Sequence, residues 1–228
     1  MMNFWEVLTN CYKKIGKLVD ALFFPETGEC LLCGRDTEGK LCRKHKETLL
    51  SLCELKYREI GGFSVLSVFR YEGIAADCVR GLKYRGRRYL APMMAEMMKE
   101  NVKLPEFDLA CAVPLHWARK LMRGFNQSEL LLKELVGEEK YSELLQRTRY
   151  TRPQARLSAE RRQENVRNAF IMRDVSVEGK RILLFDDVVT TGSTALACAR
   201  LLIENGAEDV YILSFASPVI KGEENADR

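Results

Sequence analysis

The sequence predicts an α/β domain with a mainly parallel sheet and flanking helices, preceded by a small cysteine-rich module. From residue 60 onward, short apolar runs alternate with amphipathic stretches, which is the pattern of strands and helices in parallel sheets. Between Cys30 and Cys53 the chain is instead short, polar and rich in cysteine. Eight cysteines in a chain without a secretory signal indicate metal ligation or buried thiols, and not a disulfide framework.

The pattern in the larger domain, predicted over 60–217, indicates its strands and helices in turn. Strands are predicted over 63–71, 107–113, 181–185 and 209–215. Helices are predicted over 74–82, 89–100, 126–136, 158–167 and 194–204. The charged tail over 218–228 is expected to fray.

An amphipathic helix is predicted at the start of the chain, over 1–27. Apolar residues such as Leu8, Cys11, Ile15 and Leu18 recur at alternating three- and four-residue steps before Pro25. We expect this helix to pack on its own chain or on a protein partner, with membrane-surface binding the less favoured alternative. No apolar run is long enough to span a bilayer, so the sequence predicts a cytoplasmic protein.

Positive charge is concentrated in two stretches of the chain. The stretch 147–173 contains eight arginines and two acidic residues, and the stretch 80–88 contains five basic residues and no acidic one. Such segregation suggests a surface or cleft for phosphates or nucleic acid, although solvated helix faces would give the same pattern.

The stretch 181–194 is the most informative in the sequence. An apolar strand ends at Asp186 and Asp187, and a loop of hydroxyl residues around Gly192 leads into a helix. Ligands bind beyond the carboxyl ends of parallel strands, where a helix N-terminus offers N–H groups to a phosphate. The two carboxylates suit sugar hydroxyls, or waters on a magnesium ion. An ordinary strand–turn–helix is the structural alternative, but it does not explain the whole string.

This string resembles the phosphoribosyl pyrophosphate (PRPP) motif of type I phosphoribosyltransferases. The resemblance implies a phosphoribosyltransferase-like fold, with Asp186 and Asp187 facing the ribose hydroxyls as the candidate catalytic pair. It implies PRPP binding by the rest of the motif and, by position, by a second loop after an earlier strand: Val188, Val189, Thr190, Thr191, Gly192, Ser193, Thr194, Pro114, Leu115 and His116.

Further segments narrow the resemblance to the ComF family. They begin with Val113-Pro-Leu-His-Trp, Thr151-Arg-Pro-Gln and Gly81-Leu-Lys, and together with the cysteine-rich start they cover about residues 28–217. ComF proteins are implicated in natural transformation and in handling single-stranded DNA, so the resemblance implies these roles here. It does not establish a reaction.

Several basic residues are candidate contacts to phosphate or nucleic acid: Lys83, Arg85, Arg119, Arg123, Arg161 and Arg162. His116 is interpreted as a phosphate hydrogen-bond donor, with proton transfer as the less favoured role. Trp117 and Phe125 could stack on a base, although burial is the more usual fate of such aromatics.

The module over 28–55 carries ligand types and spacings that suit zinc. Cys30 and Cys33 form one pair with a two-residue spacer, and Cys42 and His45 form a second. Cys53 is a rival to His45 as the fourth ligand. A site with four protein ligands is closed, so its role would be structural. The alternative is that no zinc site exists.

Two functions follow from these observations. In the first, the chain is a ComF-type binding protein for PRPP, with Mg²⁺, and single-stranded DNA, acting in DNA uptake. In the second, it is an active phosphoribosyltransferase that passes the phosphoribosyl group to an unidentified acceptor and releases pyrophosphate. The motif supports binding directly and catalysis only by analogy.

Overall fold

The structure is a computed structural model that describes residues 28–148 and 169–219. The chain divides into two compact units, Met1–Glu47 and Thr48–Arg228. The predicted helices over 1–27 and 158–167, and all but the first two residues of the predicted tail, lie outside the described residues. Among the helices that the structure describes, none combines the length and the apolar character needed to cross a membrane.

The described residues form helices and strands in alternation. The helices are α1 (Arg43–Leu50), α2 (Gly73–Arg85), α3 (Leu90–Asn101), α4 (Trp117–Arg123), α5 (Gln127–Val136) and α6 (Ser193–Glu204). The strands are β1 (Cys53–Ile60), β2 (Phe63–Arg70), β3 (Leu109–Ala112), β4 (Leu145–Arg147), β5 (Phe170–Met172), β6 (Arg181–Val188) and β7 (Asp209–Ser217).

Five strands form one sheet in the order β1-β2-β7-β6-β3. The first two are antiparallel, while β2 with β7, β7 with β6 and β6 with β3 are parallel. The predicted α/β class with a mainly parallel sheet is therefore confirmed. The strands β4 and β5 form a second, antiparallel pair.

The strand β6 lies inside the sheet, and its apolar run is covered on both faces. Residues 182–185 are fully buried, as expected for a parallel strand packed on both sides. Ile182 and Leu184 belong to a core cluster with Cys198 and Leu202 of α6. Because β3, β6 and β7 are parallel, the loops that follow them lie at the same edge of the sheet.

Eight of the predicted elements match β2, β3, β6, β7, α2, α3, α5 and α6, to within three residues at either end. The prediction lacks β1, whose sequence is charged and whose residues are mostly exposed or half-buried. This strand forms because a tight turn folds it back on β2. Gly61 and Gly62 in that turn have φ values of 60° and 87°, which other residues rarely adopt.

The prediction also lacks the short helix α4 and the β4–β5 pair. No residue of α4 is buried, so it has no apolar face that a periodicity could reveal. The helix is started instead by a cap, because His116 Nδ1 accepts a hydrogen bond from the N–H of Ala118 at 3.2 Å. The strands β4 and β5 have only three residues each, too few to show alternation.

Candidate functional site

Two acidic residues stand at the carboxyl end of β6. Asp186 and Asp187 are adjacent in the strand, so their side chains leave it on opposite faces. Asp187 is 2% exposed, whereas Asp186 is only partly buried. The two carboxylates therefore occupy different environments, which their adjacency in the sequence does not reveal.

The carboxylate of Asp187 is held by side chains from two helices. The Nζ atom of Lys83, in α2, lies 2.6 Å from Asp187 Oδ2. On the other oxygen, Gln127 Nε2 donates at 3.4 Å and Ser128 Oγ at 3.5 Å, both from the first turn of α5. Asp187 is thus a buried carboxylate whose charge is neutralised by an ammonium group.

The hydroxyl of Ser128 links the two acids. It lies 3.2 Å from Asp186 Oδ1, to which it donates, and accepts from the N–H of Asp187 at 3.2 Å. The backbone N–H of Ser128 donates to Asn126 Oδ1 at 3.1 Å, and Asn126 Nδ2 donates to the carbonyl of Val113 at 3.0 Å. The start of α5 is therefore fixed to the end of β3, which places Ser128 beside both acids. We refer to Lys83, Gln127, Ser128, Asp186 and Asp187 as the acid cluster.

The charges in this cluster shift the proton affinities of its members. Burial and the neighbouring carboxylate of Asp187 raise the pKa of Asp186 to about 8, although Lys83 acts in the opposite direction. Burial alone would lower the pKa of Lys83, but the charge of Asp187, the hydrogen bond to it and the charge of Asp186 together raise the pKa. At neutral pH the cluster thus keeps Lys83 charged and favours a proton on Asp186.

The loop 190–194 after the acids leads directly into α6. Gly192 is the residue before the helix and has a φ of 76°, a backbone conformation that favours glycine. A Cβ atom at Gly192 would lie 3.3 Å from Ile60 Cδ1, so a larger residue would also be crowded. Thr190 and Thr191 are exposed, and the hydroxyls of Thr191 and Ser193 are 2.9 Å apart. Hydroxyl groups and the N–H groups of the first turn, Thr194 included, meet at the helix N-terminus.

The two valines of the predicted motif serve the scaffold. Val188 ends β6 opposite Ala216, and the side chain of Val189 is buried in the core. Arg58 of β1 donates to the carbonyls of Val189 at 3.4 Å and Thr190 at 3.3 Å. This arginine holds the loop by its backbone, and no sequence signal pointed to it.

The second predicted loop, 114–116, follows β3 at the same edge of the sheet. His116 is 5% exposed, and burial together with the charges of Arg147 and Arg119 lowers its pKa. Pro114 and Leu115 line a cavity of about 120 Å³, and Arg147 is among the other residues that line it. The pKa of Arg147 is lowered by its burial and by Arg119. A bound anion would relieve the repulsion between these cationic groups.

The predicted basic residues fall into three environments. Lys83 lies in the acid cluster, whereas Arg85 is exposed at the end of α2. Arg119 and Arg123 are half-buried on α4. Arg161 and Arg162 lie outside the described residues. The structure thus brings Lys83 to the acids instead of leaving it on the surface.

Aromatic side chains stand next to the basic ones on α2 and α4. Trp117 is 66% exposed and Tyr84 is 72% exposed, so neither is buried in the core. The guanidinium of Arg123 lies 5.2 Å from the Tyr84 ring centroid, and that of Arg88 lies 4.4 Å from the Phe125 centroid. We refer to Tyr84, Arg85, Trp117, Arg119 and Arg123 as the basic–aromatic surface.

The sequence alone missed the residues that complete the acid cluster. Gln127 and Ser128 were not singled out, although Asn126 before them is a typical N-cap that indicates where the first turn of α5 begins. That first turn reaches the acids because α5 follows β3, the neighbour of β6 in the sheet.

The cysteine-rich unit contains a cluster of potential metal ligands. One ligand atom from each of Cys30, Cys33, Cys42 and His45 lies within 4.8 Å of every other. His45 Nδ1 is 3.2 Å from Cys30 Sγ and 3.4 Å from Cys42 Sγ. The alternative ligand, Cys53, opens the strand β1 instead. The four side chains form a cluster that could bind zinc, with the soft sulfur and imidazole donors that this ion prefers.

The backbone brings the first two cysteines of this cluster together. The N–H groups of Cys33 and Gly34 both donate to the carbonyl of Cys30, at 3.2 and 2.8 Å, which closes a tight turn. Burial opposes ionisation of Cys30, but hydrogen bonds from the backbone of Cys42 and the ring of His45 lower its pKa to about 6. A thiol that ionises this readily is a suitable metal ligand, because the metal binds the thiolate.

Comparison of the sequence with those of known proteins identified relatives that are more than 30% identical. The DNA utilization protein YhgH of Salmonella typhi is 37% identical over 158 residues, 65% of this chain and 69% of that protein. The competence protein ComFC of Streptococcus pneumoniae is 33% identical over 165 residues, 71% of this chain and 72% of that protein. No family model matches the chain.

Comparison with solved structures gave phosphoribosyltransferases and related enzymes. The allosteric regulatory enzyme of purine biosynthesis aligns with a TM-score of 0.37 and 25% identity, over 57% of this chain and 25% of that one. A hypoxanthine phosphoribosyltransferase from Staphylococcus aureus aligns with a TM-score of 0.31 and 16% identity, over 63% and 64%. The chain spans about a quarter of the length of the first enzyme. These TM-scores are low, so the family assignment depends on the sequence relatives instead.

Proposed function

The chain belongs to the ComF family of competence and DNA utilization proteins, and from this premise we propose that it binds PRPP, with Mg²⁺, and single-stranded DNA during DNA uptake. The observation that carries the proposal is the end of β6, where an acid cluster is followed by a hydroxyl-rich loop and a helix N-terminus. The carboxylates suit the hydroxyls of a sugar, and the hydroxyl and N–H groups that follow suit its phosphate.

The proposed ligand fits this arrangement group by group. The 5′-phosphate of PRPP would accept hydrogen bonds from the loop 190–194, where Thr191 and Ser193 offer hydroxyls and α6 offers N–H groups. Asp186, the less buried of the two acids, would accept from the ribose hydroxyls. Arg58 would keep the loop in place through its hydrogen bonds to the backbone carbonyls of Val189 and Thr190.

The diphosphate of PRPP would lie towards the loop 114–116. Burial and the charges of Arg147 and Arg119 lower the pKa of His116 there, and burial and the charge of Arg119 lower the pKa of Arg147, so a bound anion would stabilise this group of cations. Mg²⁺ fits the site because Asp186 offers the oxygen ligand that this ion prefers, directly or through water. When bound, Mg²⁺ would supply charge neutralisation for the diphosphate.

Single-stranded DNA would bind to the basic–aromatic surface. Trp117 and Tyr84 are exposed rings on which bases could stack, and Arg85 is an exposed cation beside them. Arg119 and Arg123, together with Arg161 and Arg162 outside the described residues, would contact the phosphates. The names of the relatives, which concern competence and DNA utilization, support this part of the proposal.

The DNA part is tested by exchanging Trp117 for Ala and measuring binding to a labelled oligothymidine by fluorescence anisotropy. We expect affinity to fall about 5- to 150-fold, because one stacked base contributes about 1–3 kcal/mol. Tyr57, which is 70% exposed on β1, provides the matched control, and Tyr57→Ala should bind normally. Equal affinities for the two variants would remove α4 from the DNA surface.

We also propose that Cys30, Cys33, Cys42 and His45 bind one structural Zn²⁺. The four side chains supply a complete tetrahedral set, so no position would remain open for a substrate. The seven cysteines that the structure describes stand outside any disulfide, which is typical of a reducing compartment and supports the cytoplasm as the proposed location. The segment over 1–27 remains the proposed contact to a protein partner.

Phosphorus NMR of PRPP with Mg²⁺ and the purified protein tests the central proposal. A binding protein should broaden the PRPP resonances without new signals, and single-stranded DNA should leave the ligand intact. Release of pyrophosphate that depends on a nucleobase or an amine would instead identify the second candidate, a transferase. Sharp, unshifted resonances at a protein concentration close to that of the ligand would refute binding.

A further inference from the structure

Lys83 is not placed as a surface cation. Its side chain is 19% exposed, and its Nζ atom is 2.6 Å from Asp187 Oδ2, whose side chain is 3% exposed. The next two residues of α2, Tyr84 and Arg85, are exposed. The helix therefore turns this cation inward, towards the acids at the end of β6, while the next two residues face solvent.

The contacts around Asp187 form a closed ring. Lys83 binds one carboxylate oxygen, and Gln127 donates to the other at 3.4 Å. Gln127 Oε1 accepts from Arg123 Nη1 at 2.8 Å, and the Arg123 guanidinium lies over Tyr84, the residue after Lys83. Asp187 is thus fixed from α2 on one side and from α4 and α5 on the other.

This ring argues against Lys83 as a phosphate ligand. If its ammonium group moved to a phosphate, Asp187 would remain as a buried carboxylate without a counter-ion, which is strongly unfavourable. Because Ser128 contacts both acids, Lys83 can instead influence the position of Asp186 through Asp187. Any displacement of Asp187 would move the hydroxyl that also holds Asp186 Oδ1 at 3.2 Å.

We propose that Lys83 is a positioning residue that fixes Asp187 as a buried counter-ion and, through Ser128, aims Asp186 at the ribose of PRPP. The two acids then have separate tasks, because Asp187 supports the site while Asp186 contacts the ligand. This inference rests on the proposed function. It adds that Asp187 does not contact the ligand, and that Lys83 affects the binding of the sugar and not of the phosphates.

The test compares Lys83→Met with Lys99→Met, which removes the same charge from an exposed position on α3. Calorimetry measures the binding of PRPP and of inorganic pyrophosphate, each with Mg²⁺. We expect Lys83→Met to bind PRPP at least about 10-fold more weakly, as for the loss of about one well-formed contact to an ionised group. Pyrophosphate has no ribose, so its affinity should match that of the wild type. Lys99→Met should bind both ligands as the wild type does.

A second variant separates positioning from direct contact. Lys83→Met alone should lower the melting temperature by about 10 °C, because it leaves a buried charge unpaired. The double variant Lys83→Met with Asp187→Asn removes both charges, so it should recover most of that loss and part of the PRPP affinity. Stability losses that simply add, or an affinity that does not recover, would overturn the inference.

The outcomes also separate the inference from the proposed function. If the wild type binds neither PRPP nor pyrophosphate, the proposed function fails and the inference fails with it. If the wild type binds PRPP and Lys83→Met binds it equally well, the inference alone fails. If Lys83→Met loses both ligands to the same extent while remaining folded, Lys83 is a phosphate contact and the positioning role is wrong.

Discussion

The loop after β6 and the cysteine cluster both bring polar groups together, but the chain supports them in different ways. The loop extends from a strand whose residues 182–185 are fully buried. In the described part of the cysteine-rich unit, residues 28–47, the buried residues are Cys30 and Leu41. A large core can hold a loop in shape without a ligand, whereas residues 28–47 have so little apolar burial of their own that we expect them to need another source of stability.

We therefore expect that replacing one side chain of the cysteine cluster impairs folding, whereas replacing one acid at the end of β6 impairs ligand binding alone.

Exchanging Cys33 for Ser should release zinc and unfold the cysteine-rich unit. Structural zinc sites contribute on the order of 10 kcal/mol to the folding of small units, so the loss should be nearly complete. Metal analysis would show the zinc content, and limited proteolysis would show cleavage within 28–47. Cys53→Ser is the control and should keep its zinc. The contrast breaks if the purified wild type contains no zinc and resists the protease.

Exchanging Asp186 for Asn should abolish PRPP binding and leave the fold intact. The amide has the shape of the carboxylate but lacks the charge that the sugar hydroxyls and Mg²⁺ require, so affinity should fall at least about 100-fold. Calorimetry measures the affinity, and thermal unfolding measures the stability. Because burial raises the pKa of Asp186, removing its charge should not lower the melting temperature. A variant that still binds PRPP tightly would contradict the assignment of this residue.

The affinity for PRPP should rise with pH up to about 8. Burial and the charge of Asp187 raise the pKa of Asp186 to about 8, so the unliganded carboxyl carries a proton at lower pH. If the ligand binds the ionised form, that proton must leave, and the affinity increases by up to about tenfold for each pH unit below the pKa. Calorimetry in two buffers of different ionisation enthalpy would count the proton released. An affinity that does not change between pH 6.5 and about 8 would contradict this role of Asp186.

Exchanging Gly192 for Ala should have the smallest effect of the four. The residue has a φ of 76°, which costs a residue with a Cβ atom about 1–2 kcal/mol. The added atom would also lie 3.3 Å from Ile60 Cδ1. We expect a melting temperature lower by a few degrees and a PRPP affinity lower by a few fold. A loss of folding as complete as that of Cys33→Ser would show that the loop is no better supported than the cluster.

The sequence was sufficient where one strong local pattern decides the structure. The apolar run 182–185 and the acids after it predicted β6 and the location of the candidate site. The spacing of Cys30, Cys33, Cys42 and His45 predicted the four side chains that the structure brings together. In both cases the signal lies within one short segment of the chain, so it needs no knowledge of the rest of the fold.

The sequence was insufficient where contacts join distant segments. Lys83 and Asp187 are separated by more than a hundred residues and form an ion pair only because α2 lies beside the end of β6. The same holds for Arg58, whose strand β1 is stabilised by pairing with β2 and not by its own pattern. Trp117 is exposed although its size and apolar character favoured burial, since the short helix α4 buries none of its residues.

The position of β6 between β7 and β3 has a consequence for local opening of the chain. Backbone amides of an inner strand exchange with solvent only when most of the domain unfolds, whereas amides at edges and termini exchange through small fluctuations. The segment leading to Asp187 should therefore be among the slowest to exchange deuterium. A site anchored in this way would persist for as long as the domain itself stays folded.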